Sequence, residues 1–568
     1  MIASRSRGAR EDDMDWDRRE FLAGFLAGGG LVRRADGQRD GAVVYRIVDE
    51  ATGRPVPARI RLTDPAGADL VPLGHPEELA PEAHEGDVRF QSRRYCYVDG
   101  EFRLPRGHPP LRCRVLRGFE YEIHEGALEP AAARDGAAEI RLRRWTSLAS
   151  RGWYSGDIHI HHIAPRTCRL EMDAEDLNVA NILTSDFTTD QDRFRGAPDP
   201  VSSGDRLVYV NQEFRNHELG HLCLLNLKRL VEPVKTVQPF HYPLHLRVCD
   251  EVHAQGGYVS WAHFPSWPGV ENPLDVAMEK LDGLEILCVL EPRAFPIFMR
   301  QIVPEVESND GLRLWYRYLN CGFRLTATAG TDKMTTFVTV GANRVYARLD
   351  GDFNYENWTR ALRAGRTFIT NSPILFLEVN GAEPGATIEL DSARGRVVRI
   401  RATAESQLPY HRLEIVANGR VIAEASPSGP RHRAAIEIEH PVSESCWVAA
   451  RALEDLGRYR AAGLDFNTVH IAEGTLLSNY YGTRRPETVF AHTSPVYVLL
   501  DGAPIRSWED AEYYVRYMDR TIRWLETEAK FARPADKRTT LERFRAGRAV
   551  YERRAREARE RQRAQARR

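Results

Sequence analysis

From residue 41 to about 145, hydrophobic and polar positions alternate with a period of two. Residues 42–48 run into a turn at Thr52-Gly53, and residues 58–62, 100–107, 111–115 and 138–142 repeat the pattern between glycine and proline turns. Such alternation predicts a small β-sandwich. At Trp153 the texture changes. Strand-like runs at 156–162, 179–184, 207–214 and 221–227 are joined by helix-like segments at 170–177 and 244–255. The strand at 258–263 follows, then helix-like and strand-like text at 276–281 and 283–289, and again at 312–319 and 323–329. Alternation of this kind predicts parallel βα units, in a barrel or a wound sheet. Period-two text returns at 375–379, 397–402 and 413–416, with Asn380-Gly381 and Asn418-Gly419 as hairpin turns, predicting a second β-sandwich. Residues 507–530 and those from 536 onward read as helix.

The reading divides the chain into an N-terminal segment (1–40), a β-sandwich (41–147), a βα region (148–375), a second β-sandwich (376–475) and a largely helical, basic extension (476–568). A chain of 568 residues has the length for several such domains. A hydrophobic content of 42% and a charged content of 28% are those of a globular protein. The net charge of -1 excludes a strongly basic nucleic-acid binder, so no nucleic-acid partner is expected. No apolar run approaches the ~18 residues of a membrane span. The eight cysteines are dispersed without a CxxC pair and are expected to be buried small hydrophobes. Residues 534–568 carry 13 Lys/Arg against 5 Asp/Glu, which reads as a solvated basic face.

Arg18-Arg19-Glu20-Phe21-Leu22 precedes a short Gly/Ala-rich apolar run, resembling a twin-arginine export signal. That implies a periplasmic or secreted protein. Arg33 and Arg34 follow at once and no Ala-x-Ala site is visible, which keeps a cytoplasmic location as the alternative.

Chemistry gathers at the strand ends of the βα region, where α/β proteins carry their sites. The first strand ends in Asp157-Ile158-His159-Ile160-His161-His162. Side chains two apart share a strand face, so His159 and His161 can grip one ion together. Glu213, His221, His263 and Asp332 stand at the ends of further strands, with His217 as the alternative to His221. Zinc, manganese and iron all accept that mixture of imidazole and carboxylate. Asp157 is read as a support for an imidazole, while His162 and Glu285 are read as structural.

These residues carry a resemblance. The Asp-x-His-x-His strand, Glu213, Trp261-Ala262-His263-Phe264-Pro265 and Ala329-Gly330-Thr331-Asp332 resemble the motifs of the PHP (polymerase and histidinol phosphatase) superfamily. Ala174-Glu175-Asp176-Leu177-Asn178-Val179, Gln212-Glu213-Phe214, Gly220-His221-Leu222 and Gly365-Arg366-Thr367-Phe368-Ile369-Thr370-Asn371 are similar to the CehA/McbA branch of metallohydrolases. Ala491-His492-Thr493-Ser494-Pro495 resembles that branch's C-terminal region, and the first sandwich resembles transthyretin-like or carboxypeptidase-regulatory accessory domains. The resemblance implies a multidomain α/β plus all-β chain, with a central distorted (β/α)7 PHP-like barrel flanked by the two sandwiches. It implies two divalent metal ions (Zn, Mn or Fe). His159, His161, Glu213 and Asp332 would hold one, and Glu213, bridging, with His221 and His263 the other. Three-metal members add histidines where this chain has Thr167 and Met334, and Thr184-Ser185-Asp186-Phe187 lacks another, so two ions are expected. Asp186 and Asp176 remain as alternative oxygen ligands.

The implied function is hydrolysis of a small-molecule ester, carbamate or amide by a metal-activated water. Asp332 is the candidate proton acceptor, and Lys333 or Arg344 the candidate oxyanion stabiliser. A phosphoesterase and a catalytically inert metal-containing carbohydrate- or surface-binding protein are the alternatives. Homo-oligomerisation is left open.

Overall fold

The N-terminal sequence builds nine strands: β1 (Ala42–Asp49), β2 (Ala58–Thr63), β3 (Asp69–Leu70), β4 (Val88–Phe90), β5 (Arg93–Val98), β6 (Glu101–Pro105), β7 (Leu111–Leu116), β8 (His124–Leu128) and β9 (Ala138–Leu142). Strands β6-β1-β9 form one sheet and β4-β5-β2-β7-β8, with β3 on β2, another. Inward residues of both, including Tyr45, Ile47, Ile60, Leu62 and Cys113, share one core. The computed structural model describes residues 41–80, 83–90, 93–129, 138–216, 218–234, 240–265, 269–288, 292, 311–455, 470–471 and 487–566. The Arg18-Arg19 segment and His217 lie outside the described residues.

The middle of the chain supplies β10 (Trp153–Ile160), β11 (Val179–Thr184), β12 (Leu207–Asn216), β13 (Gly220–Leu225), β14 (Tyr258–Trp261), β15 (Gly283–Leu287), β16 (Thr326–Ala329), β17 (Arg344–Arg348) and β18 (Thr367–Thr370). Helices α1 (Pro165–Ala174), α2 (His245–His253), α3 (Asn272–Ala277), α4 (Gly311–Asn320) and α5 (Tyr355–Arg363) lie between them. Then come β19 (Ile374–Val379), β20 (Thr387–Leu390), β21 (Val397–Glu405), β22 (Arg412–Ala417), β23 (Arg420–Ala425), β24 (Ala434–Pro441), β25 (Cys446–Leu453), β26 (His470–Ile471), β27 (Glu487–Thr488), β28 (Phe490–Thr493) and β29 (Val496–Leu500). Two helices, α6 (Trp508–Thr527) and α7 (Pro534–Ala566), close the chain.

This arrangement corrects the expected (β/α)7 barrel. The central strands belong to one 15-stranded sheet, in the order β16-β15-β14-β13-β12-β11-β10-β17-β18-β28-β25-β22-β23 with β29 and β20 beside it. Strand outweighs helix, and the sheet curls into a large half-barrel. The physical reason lies in the connections. A parallel crossover needs about a dozen residues, and only residues 217–219 separate β12 from β13, which pair antiparallel. Strand β14 is also antiparallel to β13. The outer edge of β10 is taken by antiparallel β17, so the sheet runs on into the C-terminal strands. Strands β19-β21-β24 form a separate layer whose apolar side packs on that continuation through Leu377, Ile400, Val448 and Val498. Strands β28 and β29 therefore join the sheet, although the sequence reading placed them in the helical extension.

The curl positions the site. Ile160 makes a single parallel bridge to Lys333, and His161 N–H donates to the Lys333 carbonyl at 2.8 Å. The ends of β10 and β16 thus meet across the concave face. All eight cysteines are buried and unpaired, as the sequence suggested. Among the described residues no helix is long and apolar enough to cross a membrane.

Helix α1 shows how the N-terminal layers are fastened. Pro165 opens it, where a missing N–H costs nothing. Just past its end, Asp176 turns left-handed at φ 50°. Its buried carboxylate then meets Arg206 at 2.6 Å, Arg144 at 2.9 Å and Arg117 at 3.5 Å. Neighbouring Glu175 pairs with fully buried Arg59 at 2.6 Å and accepts from Tyr97 at 3.0 Å. Burial would raise the Asp176 pKa, but Arg144, Arg206 and Arg117 hold it well below the usual carboxylate range. Its stabilising charge is therefore complete above the unfolded carboxylate pKa and fades only as pH falls through the depressed folded value. Asp176→Ala leaves three guanidinium groups facing one another. It is expected to cost about 3–5 kcal/mol, read as a lowered guanidinium midpoint at neutral pH.

Candidate metal centre

His159 lies in β10 and His161 one residue beyond it, and both rings are fully buried. Their Nε2 atoms are 3.0 Å apart. Glu213, from β12, sets Oε2 at 3.3 Å from His161 Nε2 and Oε1 at 3.8 Å from His159 Nε2. Asp332 Oδ1 closes the group at 3.4 Å from His159 and 3.6 Å from His161. A second group shares Glu213. Its Oε1 lies 3.1 Å from His221 Nδ1 and 3.7 Å from His263 Nε2, and those two nitrogens are 3.2 Å apart. Donors bound tetrahedrally at about 2.0–2.1 Å stand about 3.3 Å from one another. Both groups have that edge.

The far side of each ring decides what the near side offers. His161 Nδ1 lies 2.8 Å from the Leu183 carbonyl, which only accepts, so Nδ1 carries the hydrogen. His159 Nδ1 lies 3.1 Å from Glu285 Oε2 and donates to it likewise. In their neutral forms both rings then point an Nε2 lone pair at the other across 3.0 Å. Two buried lone pairs do not rest so close without a proton or a cation between them. The residues present therefore fit a divalent ion.

The charges agree. Burial pulls the His159 pKa down, but Cys223, Glu285 and Asp332 together hold it well above its ordinary value. Burial pushes His221 down to about 3, keeping that ring neutral. Burial would raise Glu213, yet Arg215 and the neighbouring His161, His221 and His263 rings bring it well below the usual range.

Several supports differ from the sequence reading. Glu285, taken there as structural, is the carboxylate behind His159, and its Oε2 also accepts the His263 backbone N–H at 2.5 Å. Asp157 orients no imidazole. It accepts the backbone N–H groups of His159 and Thr331 at 3.0 Å, that of Gly341 at 2.9 Å and the Thr331 hydroxyl at 2.6 Å, stitching the turn of Asp332 to β10. His162, His263 and Asp332 all have positive φ, at 54°, 35° and 47°, a strained state typical of functional turns. A Cβ at Gly330 would collide with the Glu285 carboxylate and with His159.

The two proposed oxyanion cations are engaged elsewhere. Fully buried Lys333 donates to the Val338 carbonyl at 2.7 Å and stands 3.5 Å from Glu171. Arg344 donates to the Gly341 and Glu175 carbonyls and lies over the Phe119 ring. Asp176 is enclosed by arginines, and His492 is a buried partner of the Tyr316 hydroxyl at 2.6 Å. The cation beside the centre is Arg215, which sequence reasoning missed. Its Nε is 3.6 Å from Glu213, an end nitrogen is 3.5 Å from Asp186, and its plane covers the Phe187 ring. The signal was present: Arg215 follows Glu213 by two on one strand and shares its face. The N-terminal layers also reach the rim, where His84 stacks on His162 and donates to the Met334 carbonyl at 2.6 Å.

Two outcomes follow. Glu285→Gln keeps the shape but loses the charge behind His159, and is expected to weaken metal affinity about 10–100-fold, measured by competition with a chromogenic chelator. Because His159 holds its proton well above its ordinary pKa, metal must displace that proton. The apparent Kd should fall about tenfold per pH unit from mildly acid through neutral solution, with proton release visible by calorimetry in two buffers.

No family model matches the chain, and no curated protein matches it. Among solved structures, the crystal structure of PsfC from Pseudomonas syringae PB-5123 aligns with 37% of this chain and 87% of its own, at 13% identity and a TM-score of 0.26. At that level the likeness assigns neither fold nor function.

Proposed function

We propose that the chain is a metal-dependent hydrolase, with two divalent ions of the zinc, manganese or iron class, that cleaves a small ester, carbamate or amide. The observation that carries this reading is the buried pair of imidazole Nε2 atoms 3.0 Å apart, each ring locked from behind. His159, His161, Glu213 and Asp332 would hold one ion, and Glu213, His221 and His263 the other. Bound there, such ions supply an activated water at neutral pH and Lewis acidity toward a carbonyl or phosphoryl oxygen.

The remaining work falls to the chain's own side chains. Asp332, 17% exposed against 2% for Glu213, receives the proton released on attack at its Oδ atoms. Arg215, at 22% exposure, turns its guanidinium toward the developing oxyanion while Phe187 holds its plane. The His84–His162 stack walls one side of the substrate's approach. Motif likeness to the CehA/McbA branch supports the same chemistry, through these residues and not through the expected barrel. The planar fork of Arg215 also suits a phosphoryl group, which favours a phosphoesterase as the second reading.

The test is metal per chain by mass spectrometry, followed by ester, carbamate, amide and phosphoester panels with the metal found. His159→Ala should lose metal and activity together. Arg215→Ala should keep its metal and lose about 10²–10³-fold in kcat. Turnover confined to phosphoesters would establish the second reading. Full metal with no turnover on any panel would overturn both.

A further inference from the structure

Behind β12 and β14 lies another polar cluster. His245 opens α2, Glu271 immediately precedes α3 and Asp275 lies within α3, all with no exposed surface. His245 Nδ1 is 3.4 Å from Asp275 Oδ2 and 3.8 Å from Glu271 Oε2. The His245 ring sits against Trp261 and Phe214, the aromatic residues flanking the strand positions that lead to His263 and Glu213.

Two carboxylates are thus buried with one imidazole, and their polar atoms are almost all unanswered. Glu271 Oε1 accepts weakly from the Leu246 N–H at 3.4 Å. Glu271 Oε2, both Asp275 oxygens and both His245 nitrogens lack a hydrogen bond of good geometry among the described residues, although His245 faces the Gly220 backbone and the two carboxyls face each other. No lysine or arginine among those residues pairs with either carboxylate. Burial holds both carboxyls well above the usual carboxylate range, so without a cation each keeps a proton; those protons bond some of these atoms and leave others orphaned, at about 1–3 kcal/mol each. A divalent cation would neutralise both carboxylates and take Nδ1, Oε2 and the two Asp275 oxygens at once.

We propose that His245, Glu271 and Asp275 form a separate, fully buried site for one divalent cation of the zinc or manganese class. Its role is structural: it locks α2 to α3 and buttresses the strands that carry Glu213 and His263. The donor set, one imidazole and three carboxylate oxygens, suits either metal. With no exposed ligand, the ion is acquired as the chain folds and does not exchange in the native state. This site stands whether or not the centre at His159 is catalytic.

The full-length double variant His159→Ala/His221→Ala takes a ligand from each ion position of the first centre and leaves this site intact. Produced with zinc and manganese in the medium and dialysed against EDTA while folded, it is expected to retain about one equivalent of metal. That equivalent should reach a chromogenic chelator only when guanidinium unfolds the chain. Adding Asp275→Asn should remove it and lower Tm. Absence of retained metal in the double variant would overturn the proposal, since the carboxylates would then be neutralised by protons. Metal persisting in the Asp275→Asn protein would overturn it too, by assigning the ion to other residues. If Asp275→Asn does not fold, EDTA-dialysed wild type decides by the same measurement: unfolding that liberates no metal overturns the site.

Discussion

Two imidazole nitrogens facing each other across 3.0 Å set the terms for the rest of this molecule. Neither ring can turn away. Glu285 holds His159 and the Leu183 carbonyl holds His161, each fixing the hydrogen on the outer nitrogen. Such a pair stays together only if the surrounding chain forces it and something positive fills the gap. The forcing is visible in the backbone: β10 meets the end of β16, Asp157 ties four donors from three segments, and glycine at 330 leaves room for the Glu285 carboxylate. The curled sheet brings these strand ends onto one concave face.

Local structure was largely legible in the sequence, and pairing was not. The strand at Val179–Thr184 has the bounds its pattern suggested, and the helices after Leu244 and Ser507 begin within a residue or two of theirs. Hydrophobic periodicity reports which residues face a core, but it carries no sign of whether neighbouring strands run the same way. The three-residue link between β12 and β13 was the readable clue to a hairpin. The site divides along the same line. His159, His161, His221, His263 and Asp332 lie at or just beyond strand ends, a property of the text, and Glu213 joins them from within β12, opposite Cys223. Glu285 and Cys223 are mid-strand, and only the curl of the sheet brings them behind His159. Lys333 adjoins Asp332 in sequence, yet at a strand end adjacent side chains leave on opposite sides, so its ammonium ends up beside Glu171.

The N-terminal layers are more than an appendage. Arg117 and Arg144 close on Asp176, and Arg59 on Glu175, at the end of the helix that follows the His-x-His strand. The loop before β4 lies over the turn after Asp332: Thr336 N–H donates to the Ala83 carbonyl and Arg89 N–H to that of Thr336. Glu85 accepts from Ala164 N–H at 2.6 Å, just past the histidine strand. A displacement of these layers therefore moves both flanks of the centre.

Strain and charge at the centre answer each other. His263 and Asp332 occupy left-handed backbone states that L-residues avoid, at about 1–3 kcal/mol each. Hydrogen bonds alone keep them there: His263 N–H to Glu285, and the Thr331 backbone and hydroxyl to Asp157. Those two carboxylates are fully buried, so each needs its donors as much as the turns need their anchors. Removing either carboxylate would free a strained turn and leave a ring without its hydrogen-bond partner or a backbone N–H unsatisfied. The donor array and the strained turns are in this sense one structure, held by the same two buried carboxylates.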